Sequence, residues 1–157
     1  MSDDKKMELA QQVYKTLCAA LDANGWRYEK DEEKLVVHFG LTGEDLQMRF
    51  IIFVDPGRQM VTVLSPLPFE MSPDKRMEGA MAACAASFGM VNGSFDYNLA
   101  DGSVVFRMTN NFMESQVGEG LFQYMIRCSA AMVEKYNDQF LALEKGMLSI
   151  SEFIANS

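Results

Sequence analysis

The stretch SFDYNLADGSVVFRMT, residues 94–109, decides the fold class of this chain. Apolar and polar residues alternate on both sides of Asp101-Gly102, as they do in strands that bury one face. An Asp-Gly pair between two such runs is typical of the tight turn in a β-hairpin. The stretch therefore predicts two antiparallel strands, at residues 94–99 and 103–109.

An earlier group of strands is predicted between residues 26 and 64. Short apolar runs recur there, separated by Gly, Pro or Asp at intervals of about 8–12 residues, which is the spacing of an antiparallel meander. Pro66, Pro68 and Pro73 are expected to end this part of the sheet, because proline cannot donate to a strand ladder. Up to four strands are expected, in the runs 26–28, 35–39, 46–54 and 60–64.

Two long helices are predicted near the ends of the chain. In residues 3–24 apolar residues recur every four positions, so that one stripe faces the core, and Gly25 is placed to end the helix. Residues 115–145 show the same helical spacing, and at 1.5 Å per residue this helix would be about 45 Å long. Gly146 is expected to end it, and residues 150–154 to add a short turn.

A third helix is predicted over residues 74–90, with Ser72 as its N-cap and Pro73 in its first turn. Its larger apolar residues share one face, namely Met77, Met81, Cys84 and Phe88. The other positions are mostly glycine and alanine, which let another element approach closely. This small face either packs against the last helix of the same chain or forms a dimer or partner interface at Gly79, Ala82, Ala83, Ala86 and Met90.

The order of elements is a helix, a group of strands, a helix, two strands and a long helix. This order predicts an α+β fold, in which helices pack on one antiparallel sheet. A chain of 157 residues has the usual size of one domain, and no linker, repeat or low-complexity tract divides it. We therefore expect a single domain over residues 1–157.

The charge balance argues against two classes of partner. The chain has 22 acidic and 14 basic residues and a formal net charge of −8 at pH 7, so it repels phosphate backbones and anionic lipid. No apolar run approaches the roughly 20 residues that cross a bilayer, and the first residues lack the apolar stretch of a signal peptide. We expect a cytoplasmic protein that binds neither nucleic acid nor membrane.

Residues suited to catalysis or metal binding form no familiar pattern. Cys18, Cys84 and Cys128 fit neither a disulfide framework nor a zinc site, and they are expected to be buried free thiols. His38 is the only histidine; its place in a predicted strand favours a side chain that faces solvent or a partner over a general base. The glycine pairs lack the following Lys-Ser/Thr of a phosphate loop. We expect no catalytic residue, no metal and no cofactor.

Methionine is the unusual residue of the composition. The chain holds 13 in 157 residues, and flexible thioether side chains suit irregular cores as well as adaptable binding surfaces. Most of them are expected in the core, including Met77 and Met81. Met71, Met90 and Met113 all lie near the ends of predicted elements, and if they were exposed together they would mark a binding surface.

The segment 73–107 resembles the YbjN-type family of bacterial proteins, which carries the label of sensory transduction regulators. The shared features are a helix that opens with Arg76, a Gly-x-Phe strand from Gly93, an Asp-Gly turn, and an aromatic-Arg strand before the long last helix. The order of elements matches over about residues 7–145. The fold of that family is similar to the type III secretion chaperones, which are acidic homodimers. The resemblance implies a small, non-enzymatic, dimeric module that acts by binding other proteins.

Two functions from different classes remain open. The first is a protein-binding module, chaperone-like or regulatory, that forms a homodimer and binds a further protein. It rests on the acidic composition, the methionines, the small helix face and the missing catalytic set. The second is a small-molecule sensor or enzyme, with an apolar pocket between sheet and helices and His38 or Arg107 as its polar anchor.

Overall fold

A computed structural model describes the whole chain, residues 1–157, as four helices and one six-stranded sheet. The helices are α1 (Asp3–Ala23), α2 (Arg76–Ser87), α3 (Glu119–Glu144) and α4 (Ile150–Ala155), and a 3-10 turn at Pro73–Lys75 precedes α2. The strands are β1 (Glu29–Asp31), β2 (Val36–Thr42), β3 (Gln47–Asp55), β4 (Met60–Glu70), β5 (Ser94–Tyr97) and β6 (Ser103–Asn111). The predicted α+β fold is confirmed, with four strands before α2 and a hairpin after it.

Every strand pair in the sheet is antiparallel, and the strand order is β1-β2-β3-β4-β6-β5. One row of paired residues crosses five strands, from His38 through Ile51, Leu64 and Arg107 to Ser94. Because side chains alternate along each strand, the whole row lies on one face of the sheet. Its members are half-buried or exposed.

The helices cover the opposite face of the sheet. The neighbouring row runs through Val37, Ile52, Val63 and Met108, and all four side chains are buried. Helices α1 and α3 pack on β3, β4 and β6, and the resulting core contains 33 buried hydrophobic residues. The sheet therefore has an inner face under the helices and an outer face that no helix of this chain covers.

Strand β4 is longer than the sequence indicates, so the prediction that prolines end the sheet at residue 64 is wrong. The strand continues through Pro66 and Pro68 to Glu70, with a register shift against β6 between Pro66 and Glu70. The ladder between β3 and β4 stops at Leu64. Beyond that point β4 pairs with β6 alone, and a strand with one free edge tolerates residues that lack an N–H group.

Two helices are shorter than predicted. Helix α3 begins at Glu119, four residues after its predicted start, and its 26 residues span about 39 Å. Helix α2 ends at Ser87, after which Gly89 adopts a φ of +84°. Ser72 does not cap α2; its backbone N–H and hydroxyl both donate to the carboxylate of Glu144, at 3.0 and 3.2 Å. This contact ties the start of α2 to the end of α3.

Candidate functional site

Helix α2 turns its small residues into the protein. Gly79, Ala82, Ala83 and Ala86 are all buried, and they face β5, α3 and α4 of the same chain. A β-carbon on Gly79 would lie 2.6 Å from the hydroxyl oxygen of Tyr97, which is closer than any real contact. The absence of a side chain at Gly79 therefore lets α2 lie directly on β5.

Two hydrogen bonds fix α2 along β5. The Tyr97 hydroxyl donates to the carbonyl oxygen of Arg76 at the first residue of the helix, at 2.7 Å. At the last residue, the backbone N–H of Phe95 donates to the hydroxyl of Ser87, at 2.8 Å. Burial raises the pKa of Tyr97, so this hydroxyl remains a donor through neutral pH. Both ends of α2 are thus tied to the same strand.

The interface predicted from the sequence needs correction. Four of its five residues, the glycine and three alanines described above, are covered by the chain's own sheet and helices, and Met90 is half-buried. Met71 is fully buried, while Met113 is 57% exposed, so Met71, Met90 and Met113 do not form a common exposed patch. The small face of α2 packs internally and offers no surface to a second copy.

The large side chains of α2, and of Phe88 directly after its last residue, point into solvent instead. Phe88 is 90% exposed, Met77 72% and Met81 50%, and Cys84 between them is exposed as well. The expectation that Met77 and Met81 belong to the core, and that all three cysteines are buried, is therefore wrong at α2. An outward stripe of large apolar residues is unusual, because a surface helix normally keeps its apolar face toward the core.

Helix α4 and the loop after α2 widen this stripe into a surface. Val91 and Ile154 are 96% and 46% exposed. Two cavities of about 620 and 370 Å³ lie on either side of Phe88, and Ser157 lines both of them. We call the exposed apolar residues around these cavities the α2–α4 surface; they are Met77, Met81, Cys84, Phe88, Val91 and Ile154.

Helix α4 is held in place by a cap and one aromatic anchor. The Ser149 hydroxyl accepts the N–H of Glu152 at 3.1 Å, and the Glu152 carboxylate accepts the N–H of Ser149 at 3.2 Å. This reciprocal pair is a capping box. Phe153 is fully buried with its ring 5.0 Å from that of Phe140. The next residue, Ile154, consequently points outward beside α2.

Charged groups lie at two places beside the α2–α4 surface, at the start of α2 and, with Lys135, in the lining of the 370 Å³ cavity. Lys75 and Glu78 form an ion pair of 3.1 Å at the start of α2, and the ammonium group of Lys135 lies 5.0 Å from the ring of Tyr136. The six residues of the surface itself carry no formal charge. The surface is therefore suited to an apolar contact and not to recognition of an ion.

The sequence also predicted a small-molecule site, with His38 or Arg107 as its polar anchor. Both residues lie on the other side of the molecule. His38 is exposed on the outer face of the sheet, and Arg107, on the same face, pairs with Asp96 at 2.6 Å. Neither side chain reaches the space between sheet and helices, which the core residues fill.

No group of three or more His, Cys, Asp or Glu side chains is placed to hold a metal ion. None of the helices combines the length and apolar character needed to cross a membrane.

The sequence analysis grouped the right residues on each face of α2, but it placed Met77 and Met81 in the core and left open whether the small face packs internally. The signal for the exposed surface was present, since positions 77, 81, 84 and 88 are separated by 4, 3 and 4 residues. That spacing is typical of helices that pair along a seam. The decisive fact, that the side chains of Tyr97 and Met71 fill the space beside Gly79, is a tertiary contact without a local sequence pattern.

The six-stranded antiparallel sheet and its four helices place this chain in the class of α+β proteins. Within that class it belongs to the YbjN family, described as "Putative bacterial sensory transduction regulator", whose family model matches residues 14–142. The resemblance seen in the sequence is thereby confirmed.

One solved structure supports the same fold. The crystal structure of YbjN, "a putative transcription regulator from E. coli", is similar to this chain with a TM-score of 0.57 at 14% sequence identity. The likeness covers 80% of this chain and 92% of that chain. Comparison with curated proteins finds no match.

Proposed function

We propose that this chain is a non-enzymatic, protein-binding regulatory module, acting as one unit over residues 1–157, and that it works as a homodimer closed through the α2–α4 surface. The observation that carries the proposal is the outward stripe of Met77, Met81, Cys84 and Phe88 on a helix whose small face is buried. Water-exposed apolar patches of this kind mark interaction sites in folded proteins.

The spacing of the stripe favours a second copy as the occupant. Consider two α2 helices packed antiparallel, with a twofold axis that crosses them midway along their length, at the level of residues 82 and 83. Met77 then lies against Phe88 of the other copy, and Met81 lies against Cys84 of the other copy. Both pairings follow from one axis, so the stripe is complementary to itself, as a symmetric interface requires. The stripe is about 16 Å long, from the rise of 1.5 Å per residue.

The size of the surface supports a dimer of moderate strength. If each of the six residues buries on the order of 100 Å², the contact covers about 600 Å² per copy, near the roughly 800 Å² of a specific interface. Each copy carries a net charge of −8, so the copies repel each other at low salt. We expect added salt to strengthen the dimer, whereas a dimer held by ion pairs would be weakened.

Family membership supports a regulatory role exerted through protein contacts. The net charge opposes binding to nucleic acid or anionic membrane. The three free cysteines support a reducing compartment, such as the cytoplasm, as the place of action. A further protein partner, bound in a regulatory or chaperone-like manner, completes the proposed function.

Analytical ultracentrifugation of three variants tests the homodimer. Met81→Glu and Phe88→Glu each place a charge in the stripe and are expected to give folded monomers, because both residues are exposed in the single chain. Met113→Glu is the matched control, since Met113 is an exposed methionine outside the surface, and it should remain dimeric. A native chain that is monomeric across the micromolar range would contradict the proposal.

Thiol cross-linking provides a second test of the same geometry. Cys84 lies next to the proposed twofold axis, so a short bismaleimide should link two native copies. Cys84→Ser should abolish this cross-link, while Cys128→Ser should leave it intact because Cys128 lies on α3 and is half-buried. Cross-linking that survives Cys84→Ser would place the dimer contact elsewhere.

A further inference from the structure

The outer face of the sheet contains a depression that the homodimer does not use. It lies at Gly40 on β2, which pairs with Arg49 on β3, and its volume is about 460 Å³. Gly40 is exposed and has no side chain to fill the space. A volume of this size is within the range of small-molecule sites, roughly 300–1,000 Å³.

Hydrogen-bond donors converge on this depression. Arg27 and Arg49 line it together with His38 and Gln47. Neither arginine takes part in any of the four ion pairs of the structure, whose cations are Lys30, Arg58, Lys75 and Arg107. Two guanidinium groups without an ion-pair partner thus share one depression, which is unusual in a chain with a net charge of −8.

Gln47 presents its donor group to the same space. Its side-chain oxygen accepts the hydroxyl of Thr42 at 3.0 Å, which leaves the amide nitrogen free to donate. That nitrogen is 3.1 Å from the position that a β-carbon on Gly40 would occupy. The amide group therefore lies next to Gly40, in the space that a side chain at this position would fill. Glu29 is the single acid that lines the depression, and the balance of groups favours a negatively charged ligand.

A second cavity continues the depression toward β4. It has a volume of about 580 Å³, shares Gln47 and Arg49 with the first, and is lined farther on by Pro66, Pro68 and Phe69, with the acid Glu70 at its far end. It opens where the ladder between β3 and β4 ends at Leu64. A ligand whose charged group contacts Arg49 therefore has room for an apolar part over the proline residues.

We infer that this depression binds a small organic anion, whose carboxylate or phosphate group is held by Arg27, Arg49 and the Gln47 amide. Guanidinium groups suit both kinds of oxyanion, because their planar donors match two oxygens at once. The site is formed by residues of one chain and lies on the face opposite the helices. It is therefore independent of the α2–α4 surface, and failure of either proposal leaves the other standing.

Isothermal titration of the full chain with citrate and with inorganic phosphate tests the site. Binding of citrate alone indicates a carboxylate ligand, and binding of phosphate alone indicates a phosphate ligand; either result supports the site. Arg49→Gln should weaken binding about tenfold or more, since it removes a charge-assisted hydrogen bond. Arg107→Gln is the matched control, because Arg107 lies on the same face but is paired with Asp96, and it should bind as the native chain does.

A variant without a change of charge completes the test. Gly40→Val fills the depression while keeping a residue that suits a strand, and it should abolish binding while circular dichroism shows an intact fold. Sodium chloride at matched ionic strength controls for screening of the net negative charge. The inference is overturned if neither anion binds beyond that control, if Arg107→Gln weakens binding as much as Arg49→Gln, or if Gly40→Val binds normally.

Discussion

The backbone N–H of Met71 donates a hydrogen bond of 2.8 Å to the carbonyl oxygen of Gly102, and the two residues touch along their main chains. Gly102 has a φ of +78° in the turn between β5 and β6, and any β-carbon there would collide with the backbone of Met71. The residue that makes the hairpin turn therefore also sets how closely the end of β4 approaches it.

Gly102→Ala should destabilise the fold strongly. The substitution combines the unfavourable left-handed conformation with a collision against main chain, which cannot move as a side chain can. We expect a loss of about 2–4 kcal/mol in the free energy of unfolding, measured by urea denaturation. Gly25→Ala is the control, because Gly25 has a φ of +69° but open space around it; its cost should be about 1 kcal/mol. Equal losses in the two variants would show that the contact with Met71 is unimportant.

Gly79→Ala should destabilise the chain although alanine is the better helix former. In an open helix this change would add about 1 kcal/mol of stability. Here the new β-carbon would meet the Tyr97 hydroxyl at 2.6 Å and the Met71 Cγ at 2.8 Å, and we expect a net loss of about 1–3 kcal/mol. Gly120→Ala in α3, where nothing lies nearby, should be neutral or stabilising. Thermal unfolding of the two variants measures the contrast, and a more stable Gly79→Ala protein would refute the close contact of α2 with β5.

Tyr14 should contribute to a fall in stability at alkaline pH, together with Tyr28 and Tyr97, whose pKa values burial also raises. Tyr14 is buried, and its hydroxyl donates to the carbonyl oxygen of Val36 at 2.9 Å. Burial raises the pKa of Tyr14 to about 12, from about 10 in an unfolded chain. Between those two values the folded state keeps a proton that the unfolded state loses, so the free energy of unfolding decreases as pH rises.

Tyr14→Phe isolates this contribution. The variant loses one hydrogen bond at neutral pH, a cost of about 1 kcal/mol, but should show a shallower decline between pH 10 and 12. Tyr124→Phe, at an exposed tyrosine, should keep the native decline. Urea titrations at several pH values provide the comparison, and parallel curves for native and Tyr14→Phe chains would exclude Tyr14 as a cause.

Ser149→Ala should loosen α4 without unfolding the rest of the chain. The change removes the capping box with Glu152, which is worth about 1 kcal/mol, and α4 has only six residues. We expect faster hydrogen exchange at the amides of α4 and, if the dimer forms through the α2–α4 surface, a several-fold weaker association. Ser151→Ala replaces an exposed serine outside the cap and should change neither. Unchanged exchange in Ser149→Ala would mean that Phe153 alone holds the helix.

The local patterns of the sequence were enough to predict the architecture. Asp101-Gly102 specifies its hairpin because the turn needs a positive φ at the glycine, and the four-residue spacing in α1 specifies a buried stripe. These signals are local: each depends on neighbouring residues alone. For the same reason the number and order of elements followed from the sequence, whereas the ends of β4, α2 and α3 did not.

The candidate sites could not be predicted in the same way. The orientation of α2 depends on Tyr97 and Phe95, which follow it in the chain and reach its two ends only after the hairpin has folded. The depression at Gly40 depends on Arg27 and Arg49, which belong to different segments and meet only across the sheet. Contacts between distant residues leave no periodicity in the sequence. The spacing of the α2 stripe was therefore visible in the sequence, but its exposure and the depression at Gly40 were not.

The position of Ser157 has a practical consequence for handling this protein. Because Ser157 lines both cavities beside Phe88, any purification tag or fluorescent fusion attached to this residue starts at the α2–α4 surface. If the proposed dimer forms through the α2–α4 surface, such a tether would compete with the second copy at millimolar effective concentration and would turn the dimer into an apparent monomer. A label on Met1, which lies beside Gln59 at the turn between β3 and β4, is joined to the opposite end of the chain and leaves Ser157 unmodified.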